Sequence, residues 1–300
     1  MNWNRIIQSV PNFSEGRDLD KVEKIVSAFR GKKGVKLLDY SSDSDHNRTV
    51  VTVIGEPQQL IAALLESAKT AIELIDLNLH QGQHPRIGAI DVIPFIPIKN
   101  FSMEETIELS KELAQQLANK LNLPVYLYEK SASTPNRENL ARIRKGNFEG
   151  LNSKMKEADW LPDYGPNLAH ATAGAVVIGA RMPLIAYNIN LNTTCLKTAT
   201  QIARDIRYIN GGLRYVKAMA LMLENRKITQ VSINLTDYTE TSIYRVFELV
   251  RIEAKRYGIS IIGSEIIGLV PMGALIDVAS YYLRLEDFNI NQVLETQLME

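Results

Sequence analysis

The sequence has a single cysteine, no excess of either charge and no hydrophobic run that approaches membrane-spanning length. Cys195 cannot form a disulfide within the chain or build a thiolate metal site. Basic and acidic residues both number 34, so no basic surplus is available to neutralise a nucleic-acid backbone or to bind an anionic membrane. The first ten residues lack the basic flank and apolar core of a secretion signal. We therefore expect a cytoplasmic protein that binds neither nucleic acid nor membranes.

The chain does contain enough apolar material for a large core. Hydrophobic residues make up 45% and charged residues 23% of the 300 positions, which suits one large domain or two smaller ones. Residues 131–166 are richer in charge and turn formers than the segments on either side. We expect a boundary after this stretch, with domains of residues 1–180 and 181–300.

Strand and helix periodicities alternate along the first part. Strands are predicted at Ile6–Val10, Val35–Asp39, Thr49–Ile54, Asp91–Ile98 and Val125–Tyr128, with a polar turn over Ser41–Asn47. Helices are predicted from Leu19, after Pro57 and from the capping-box spacing of Ser102 and Glu105. The two prolines in Asp91–Ile98 lack ladder N–H groups, which predicts an edge or irregular strand.

The same alternation continues to the end of the chain. Short helical patterns occupy Asn139–Arg144 and Leu151–Ala158. Strands are predicted at Ala175–Gly179, Leu184–Leu191, Gln230–Thr236 and Ile259–Ile262. Helices are predicted at Leu196–Ile206, Thr241–Tyr257 and Gly273–Leu283.

Two of these strands combine an apolar face with a polar one. In Leu184–Leu191 one face is apolar and the other carries Asn188 and Asn190, and in Gln230–Thr236 the polar face carries Asn234. Solvent exposure of an antiparallel sheet explains such a face. A ligand-facing surface explains it equally well, because asparagine has poor strand propensity. The residues alone leave both interpretations open.

A loop between a long apolar helix and a strand holds two of the four histidines, His80 and His84. Gly82 and Pro85 argue against a helix that would place both imidazoles on one face. A zinc site would need a third ligand, such as His46 or Asp91.

General acid–base catalysis is the alternative chemistry for this loop. An imidazole near its unperturbed pKa of about 6.5 can take and give a proton at neutral pH. His84 suits this role better than His80, because Pro85 fixes its backbone and Arg86 attracts an anion. An ordinary surface histidine is equally compatible with the spacing.

Seven motifs follow one another over essentially the whole chain. They are Val10–Gly16, Asn47–Val50, His84–Pro97, Ala158–Pro166, Gly179–Arg181 with Leu184–Leu191, Gln230–Asp237 and Gly263–Pro271. In this order they resemble the motifs of the glutamate formiminotransferase family. The resemblance implies an α/β (α+β) fold of two α/β sandwich subdomains, whose mixed sheets face each other across a tunnel with helices outside.

The resemblance also implies an activity. Members of the family transfer the formimino group of N-formimino-L-glutamate to tetrahydrofolate, the co-substrate, which gives 5-formimino-tetrahydrofolate and L-glutamate in histidine degradation. No metal is expected. The family's catalytic acid–base histidine corresponds to His84. Its folate-binding stretch corresponds to Gly165, Pro166, Asn167, Leu168, Ala169, His170, Ala171, Thr172, Ala173 and Gly174.

Other candidate residues follow from motif membership and face direction. Arg48 and Arg86 are hypothesised to bind substrate carboxylates through bidentate hydrogen bonds. Pterin or formimino alignment is hypothesised for Asn12, Asp39, Asn188 and Asn234. The cyclodeaminase that is fused to the animal members is expected to be a separate protein here, and the chain is expected to form a homo-oligomer.

Three other functions are compatible with parts of this pattern. N-formylglutamate differs from the formimino donor by one oxygen in place of a nitrogen and would give a formyl-folate. A folate-binding protein without catalysis is a second alternative. The third is a metal-dependent hydrolase that uses His80, His84 and Asp91.

Overall fold

The computed structural model describes residues 3–298. The chain divides into two compact units, Met1–Arg181 (unit 1) and Met182–Glu300 (unit 2). Each unit packs helices on a β-sheet, so the predicted α/β class is confirmed. Within residues 3–298, every helix is too short or too polar to cross a membrane.

Unit 1 contains a seven-stranded mixed sheet and five helices within the described residues. Its strands are β1 (Ile6–Ser9), β2 (Asn12–Phe13), β3 (Val35–Asp43), β4 (Arg48–Gly55), β5 (Ile90–Lys99), β6 (Val125–Leu127) and β7 (Val176–Ala180). Its helices are α1 (Leu19–Ser27), α2 (Pro57–Leu74), α3 (Met103–Leu121), α4 (Leu140–Arg144) and α5 (Asn147–Lys154). The sheet order is β1-β4-β2-β5-β7-β6, and β3 pairs with the free side of β4.

Local sequence signals explain where these helices begin. The Asp18 side chain accepts a hydrogen bond from the Lys21 N–H at 3.1 Å and caps α1. Pro57 occupies the first turn of α2, where its missing N–H costs no helical bond. The predicted capping box at α3 is confirmed, since Ser102 and Glu105 exchange both side-chain-to-backbone bonds.

The two faces of the unit 1 sheet are covered by different layers. Helices α1, α2 and α3 cover one face and form the main core. A smaller cluster covers the other face beside β5, β6 and β7, and we call it the covering layer. Its members are Ile87, Val92, Tyr126, Tyr128, Ile143, Leu151, Met155, Ala169, Ala175 and Val177.

Strand β5 is irregular, which was one of the two predicted alternatives, but it is not an edge strand. The strand lies inside the sheet, where it pairs antiparallel with β1 and β2 and parallel with β7. Pro94 and Pro97 remove only donors from the ladder, and the Pro94 carbonyl still accepts from the Val10 N–H at 3.4 Å. Pairing on β1 is also interrupted by a register shift beside Pro97, between the partners of Ile6 and Ile7.

Other boundaries differ from prediction in smaller ways. Strand β3 extends to Asp43 and takes up much of the predicted turn. Helix α5 begins at Asn147, earlier than the predicted Leu151.

Unit 2 contains a four-stranded antiparallel sheet of order β11-β8-β10-β9. Its strands are β8 (Ile185–Leu191), β9 (Val216–Leu223), β10 (Ile228–Leu235) and β11 (Ile261–Ile267). Its helices are α6 (Leu196–Ile206), α7 (Ile243–Arg256), α8 (Met272–Leu283) and α9 (Leu294–Leu298). Strand β9 has no counterpart in the sequence prediction, and β11 extends well beyond the predicted Ile259–Ile262.

The apolar face predicted for the unit 2 sheet is confirmed. Ile185, Ile189 and Ile233 are buried, and the core of this unit includes residues of α6 and α7. On the other face, Asn188 is half-buried and Asn234 is exposed. The unit therefore has a buried core on one side of its sheet. The other side, which we call the polar face of unit 2 for its asparagines, also carries the exposed apolar side chains Met219 and Leu221.

Candidate active site

Strand register in unit 1 brings several predicted site residues to one face of the sheet. Asn12 lies opposite Val50 and Val92 on the neighbouring strands, so the three side chains share a face. Arg48 is two positions from Val50 along β4 and therefore points to the same side. Asp39 pairs with Thr52, which belongs to the same row of β4. This polar part of the sheet lies beside the covering layer, and we call it the polar face of unit 1.

The histidine loop, Leu77–Ala89, has no helical segment, as Gly82 and Pro85 predicted. Gly82 packs directly on the turn between β3 and β4. A Cβ at this position would lie 2.3 Å from the His46 carbonyl oxygen. The loop is held against that turn also by the Gln83 N–H, which donates to the Asp45 carbonyl at 3.2 Å.

His80 is fully engaged in a structural network. Its Nδ1 accepts from Arg86 Nε at 2.9 Å, so its Nε2 carries the proton and donates to the Asn47 carbonyl at 2.9 Å. The Asn47 side chain continues the network, since its Oδ1 accepts from the Gly16 N–H at 2.9 Å. Burial is the main cause that lowers the pKa of His80. His80 thus fixes the loop as a neutral imidazole.

Arg86 completes this network from the other side. Its guanidinium donates to both carboxylate oxygens of Glu149 on α5, at 2.8 and 3.1 Å. Its remaining bonds go to the His80 ring and the His80 carbonyl. Four hydrogen bonds thus engage the Arg86 guanidinium within the chain and anchor the histidine loop. The hypothesis that Arg86 binds a substrate carboxylate stays a prediction, and such a carboxylate would have to compete with Glu149.

His84 has a different environment from His80. Within residues 3–298, its ring takes part in none of the hydrogen bonds found. Burial, followed by the positive charges of Arg48 and Arg144, lowers the pKa of His84 to about 3. The unperturbed imidazole that the sequence suggested is thus wrong for the free protein. His84 is held neutral at pH 7.

Arg48 makes fewer hydrogen bonds than Arg86, the other arginine predicted to bind substrate. Its Nε atom is buried and has no hydrogen-bond partner within the described part of the chain. Asp43 lies opposite Arg48 in the strand register, but the two form no ion pair among residues 3–298. Burial, followed by the charge of Arg144, lowers the pKa of Arg48 from its ordinary value. The Arg48 side chain is half-buried, and its unpartnered Nε and its positive charge near the neutral His84 imidazole favour an incoming carboxylate.

A β-bulge supplies a further part of the site that the sequence did not identify. Between Asn12 and Phe13, strand β2 advances one residue while β5 advances two, which leaves Asp91 as the extra residue. One oxygen of Asp91 accepts from the Ile87 N–H at 2.8 Å, and the other accepts from Arg144 Nε at 2.8 Å. Asp91 thereby ties α4 to the chain that follows His84.

The segment Gly165–Gly174 is a closed loop attached to the same region. His170 and Gly174 exchange backbone hydrogen bonds of 2.9 and 3.0 Å. The Ala173 carbonyl accepts from the Ala89 N–H at 2.9 Å, which joins this segment to the end of the histidine loop. Ala169 and Ala173 are buried, whereas Asn167 is exposed and Leu168 is 64% exposed. The tip at 167–168 is accessible to a ligand, and Gly165 and Ala171 are exposed as well.

Two predicted site residues, Asn188 and Asn234, belong to unit 2. Both lie on the polar face of its sheet, because Ser232 pairs with Asn188 and Asn234 pairs with Ala186. Neighbouring Asn190 has a different role. Its Oδ1 accepts from Gln230 Nε2 at 2.8 Å, and this amide also donates to Glu265 at 2.6 Å.

A metal site receives no support from the geometry of the described residues. Among residues 3–298, no group of three or more histidine, cysteine, aspartate or glutamate side chains is arranged to hold a metal ion. Both nitrogens of His80 and both oxygens of Asp91 already have partners.

Comparison with known proteins covers almost the whole chain. Residues 6–181 match the family described as formiminotransferase domain, N-terminal subdomain, and residues 186–299 match the formiminotransferase domain. The chain is 48% identical to a glutamate formimidoyltransferase from Streptococcus pyogenes serotype M1, over 98% of this chain and 99% of that protein. It is 46% identical to a glutamate formimidoyltransferase from Thermoplasma acidophilum, over 98% and 97% of the two chains. It is 42% identical to the mouse formimidoyltransferase-cyclodeaminase, of which it matches 52%.

Proposed function

The chain belongs to the formiminotransferase family, and we propose from this premise that it transfers the formimino group of N-formimino-L-glutamate to tetrahydrofolate in histidine degradation. The products are 5-formimino-tetrahydrofolate and L-glutamate. The observation that carries this conclusion is the near-complete match to two relatives named for the transferase activity. The protein is thus a one-carbon group transferase, a glutamate formimidoyltransferase.

His84 is the residue proposed to move protons in this reaction. Tetrahydrofolate supplies the nucleophilic nitrogen 5, which must lose a proton, while the departing glutamate nitrogen must gain one. His84 is neutral at pH 7 and its ring is not committed to another group in the described structure. It therefore meets the first requirement of a general base, which is to be unprotonated when the substrates bind.

Substrate binding is expected to strengthen His84 as a base. Arg48 and Arg144 both lower the pKa of His84 in the free protein. A glutamate carboxylate bound to Arg48 would offset this positive charge and raise the His84 pKa toward the working pH. The negative charge of the bound donor would thus raise the basicity of His84, which the reaction requires.

The remaining binding residues are proposals with different levels of structural support. Asn12 and Asp39 share the polar face of unit 1 with Arg48, so one ligand can contact all three. The Gly165–Gly174 loop fits a folate-binding role because its tip is accessible while its base is fixed to Ala89. Asn188 and Asn234 offer amide groups on the polar face of unit 2.

We also propose that a separate cyclodeaminase consumes the product. The Streptococcus and Thermoplasma relatives are matched over nearly their full lengths, whereas the mouse protein carries the cyclodeaminase in its name and is matched over only 52%. A cytoplasmic location and a homo-oligomeric state complete the proposal.

The direct test is to incubate the protein with tetrahydrofolate and N-formimino-L-glutamate and to measure formimino-folate and glutamate. His84→Ala should lower kcat by about 10²–10⁴-fold, the usual contribution of a general acid–base group. Gln83→Ala is the matched control, since this exposed neighbour contributes only a backbone bond to the loop. Near-normal turnover by folded His84→Ala protein would contradict the role given to His84.

The same assay separates the alternatives. Turnover with N-formylglutamate instead would indicate the formyl donor, and folate binding without product would indicate a binding protein. Activity lost in a chelator and restored by a divalent metal would indicate the hydrolase chemistry of His80, His84 and Asp91.

A further inference from the structure

His46, in the turn between β3 and β4, forms an aspartate–histidine pair close to His84. Its Nδ1 donates to the Asp43 carboxylate at 2.7 Å. The other Asp43 oxygen accepts from the backbone N–H groups of Asp45 and His46, both at 2.9 Å. The backbone bond from His46 is the largest cause that lowers the pKa of Asp43, so Asp43 is a carboxylate at neutral pH. With Nδ1 engaged, the Nε2 atom of His46 is left for another group.

The two imidazoles differ in the sign of the charge beside them. A carboxylate contacts the His46 ring, and the hydrogen bond from Nδ1 to Asp43 orients the imidazole. The His84 ring is surrounded by the cations Arg48 and Arg144, which favour the neutral form. A carboxylate partner on one imidazole and cationic neighbours around the other give the two rings different environments, as an acid and a base in one site require.

The distance between the rings suits action on a single reaction centre. Their centroids are 6.3 Å apart, and the ring planes are inclined by 65°. An atom hydrogen-bonded to a ring nitrogen lies about 4 Å from the ring centroid, given a bond length of about 2.9 Å. Two rings that bond to one tetrahedral centre from different sides are therefore expected at a separation of this size.

We propose that His46, oriented by Asp43, is a second catalytic residue, the general acid that protonates the leaving nitrogen, while His84 acts as the base. This inference rests on the proposed formimino transfer. It replaces a single imidazole that serves both transfers with two imidazoles that serve one each.

The step balances in atoms and charge. A bond forms between nitrogen 5 of the folate and the amidine carbon, and the bond from that carbon to the glutamate nitrogen breaks. Nitrogen 5 gives its proton to His84, and His46 gives a proton to the glutamate nitrogen. His84 then holds the extra proton and His46 lacks one. The 6.3 Å between the rings lets the proton return to His46 through one water molecule or a shared substrate atom.

The contacts of His46 differ from those expected of a histidine with a purely structural role. Asp43 holds the turn through two backbone N–H groups, and these bonds do not need the imidazole. The His46 side chain is 44% exposed, which is more than a buried structural histidine requires. An anchoring histidine in this fold looks like His80, whose two nitrogens are both bonded.

A pH dependence of the reaction must be interpreted with all the charges near His46. Its own turn carries Asp43 and Asp45, and Arg17 reaches the turn by donating to the Ser44 carbonyl at 2.8 Å. The groups on the elements packed against it are Arg48 on β4, His80 and His84 on the histidine loop, Asp91 on β5 and Arg144 on α4. Substitution of His46 separates its own contribution to a pH profile from the contributions of these neighbours.

His46→Gln tests the proposal, because glutamine can still donate to Asp43 but cannot carry a proton. We expect kcat for formimino transfer to fall about 10²-fold, with KM for the donor changed by less than about 3-fold. The fall in rate at high pH, where the wild type loses an imidazolium, should disappear from the profile. Asp45→Asn is the matched control, since it removes a charge from the same turn and should leave kcat and the profile unchanged.

Asp43→Asn keeps the proposal testable if His46→Gln does not fold. Its Oδ1 can still accept the two backbone bonds, but the ring loses its carboxylate, so the basic limb should move to lower pH. An unchanged kcat and profile in either folded variant would overturn the role of His46, while wild-type activity and the effect of His84→Ala persist. A wild type that does not use N-formimino-L-glutamate would instead contradict the proposed function itself.

Discussion

The two units of the chain bury their sheets to different extents. In unit 1, β7 is buried along its whole length and β5 along most of it, because helices cover one face and the covering layer covers the other. In unit 2, the outer face of β8 and β10 is only partly buried, and most of β11 is exposed. The units therefore share an architecture but offer different environments to polar side chains.

This difference indicates why the titratable site lies in unit 1. Burial is the largest cause of the low His84 pKa, and burial also leaves Arg48 Nε without a partner. On the open face of unit 2, the half-buried or exposed groups include amides such as Asn188 and Asn234, which carry no charge to adjust. We expect the residues of unit 1 to control proton transfer, and the proposed binding residues Asn188 and Asn234 to contribute only hydrogen bonds.

The largest effect on stability is expected from a substitution that overpacks the covering layer of unit 1. A Cβ on Gly88 would lie 2.0 Å from the Ala175 carbonyl oxygen, so a methyl group there must displace backbone. Gly88→Ala should lower the free energy of unfolding by about 3 kcal/mol, the cost of overpacking a tight site. Denaturant unfolding measures this change.

Gly263→Ala is the matched control in unit 2. No atom lies within 4 Å of a Cβ built there, so the free energy of unfolding should change by less than about 0.5 kcal/mol. If Gly88→Ala and Gly263→Ala lowered the free energy of unfolding equally, the claim that the two units differ in packing would be wrong.

Much of the fold could be predicted because its signals are local. The capping box of Ser102 and Glu105 and the proline at position 57 each mark the start of a helix through contacts within one turn. Strand β9 was not predicted, because its exposed face carries the apolar side chains Met219 and Leu221 whereas the small residues Ala218 and Ala220 face the core. Without apolar and polar alternation, such a strand has no periodic signal.

The candidate site was predictable only in part, for a similar reason. The motif around His84 is contiguous, and so it is visible in the sequence. The pKa of His84 depends on Arg144, which reaches the site through the Asp91 bulge, and no sequence spacing encodes that approach. Arg86 resembles a free anion ligand in the sequence, but Glu149 and His80 occupy it in the fold.

A smaller effect is expected from removing the charge of Arg48. Arg48→Gln should raise KM for the glutamate donor by about 30-fold, near 2 kcal/mol, since a charge-assisted hydrogen bond is lost. Steady-state kinetics measure this change. Arg30→Gln is the control, because it removes the same charge from an exposed pair with Glu23 in the same unit.

The same variant tests the electrostatic account of His84. Arg48 is the second cause of the lowered His84 pKa, after burial, so Arg48→Gln should raise that pKa. In the wild type, NMR should detect a neutral His84 ring at all pH values above about 5. A wild-type His84 that titrates near pH 6.5 would contradict the claim that burial in unit 1 sets its protonation.

The smallest effect is expected in unit 2, where two neighbouring asparagines separate binding from folding. Asn188→Ala should lower kcat/KM by about 5-fold, near 1 kcal/mol, because one neutral hydrogen bond to a ligand is lost, and it should leave unfolding unchanged. Asn190→Ala should do the reverse, since Asn190 is buried and accepts from Gln230 at 2.8 Å. For both variants, steady-state kinetics measure kcat/KM and denaturant unfolding measures the free energy of unfolding. If Asn188→Ala lowered activity as much as His84→Ala does, unit 2 would contribute more than hydrogen bonds, and the division between a proton-transferring and an aligning unit would be wrong.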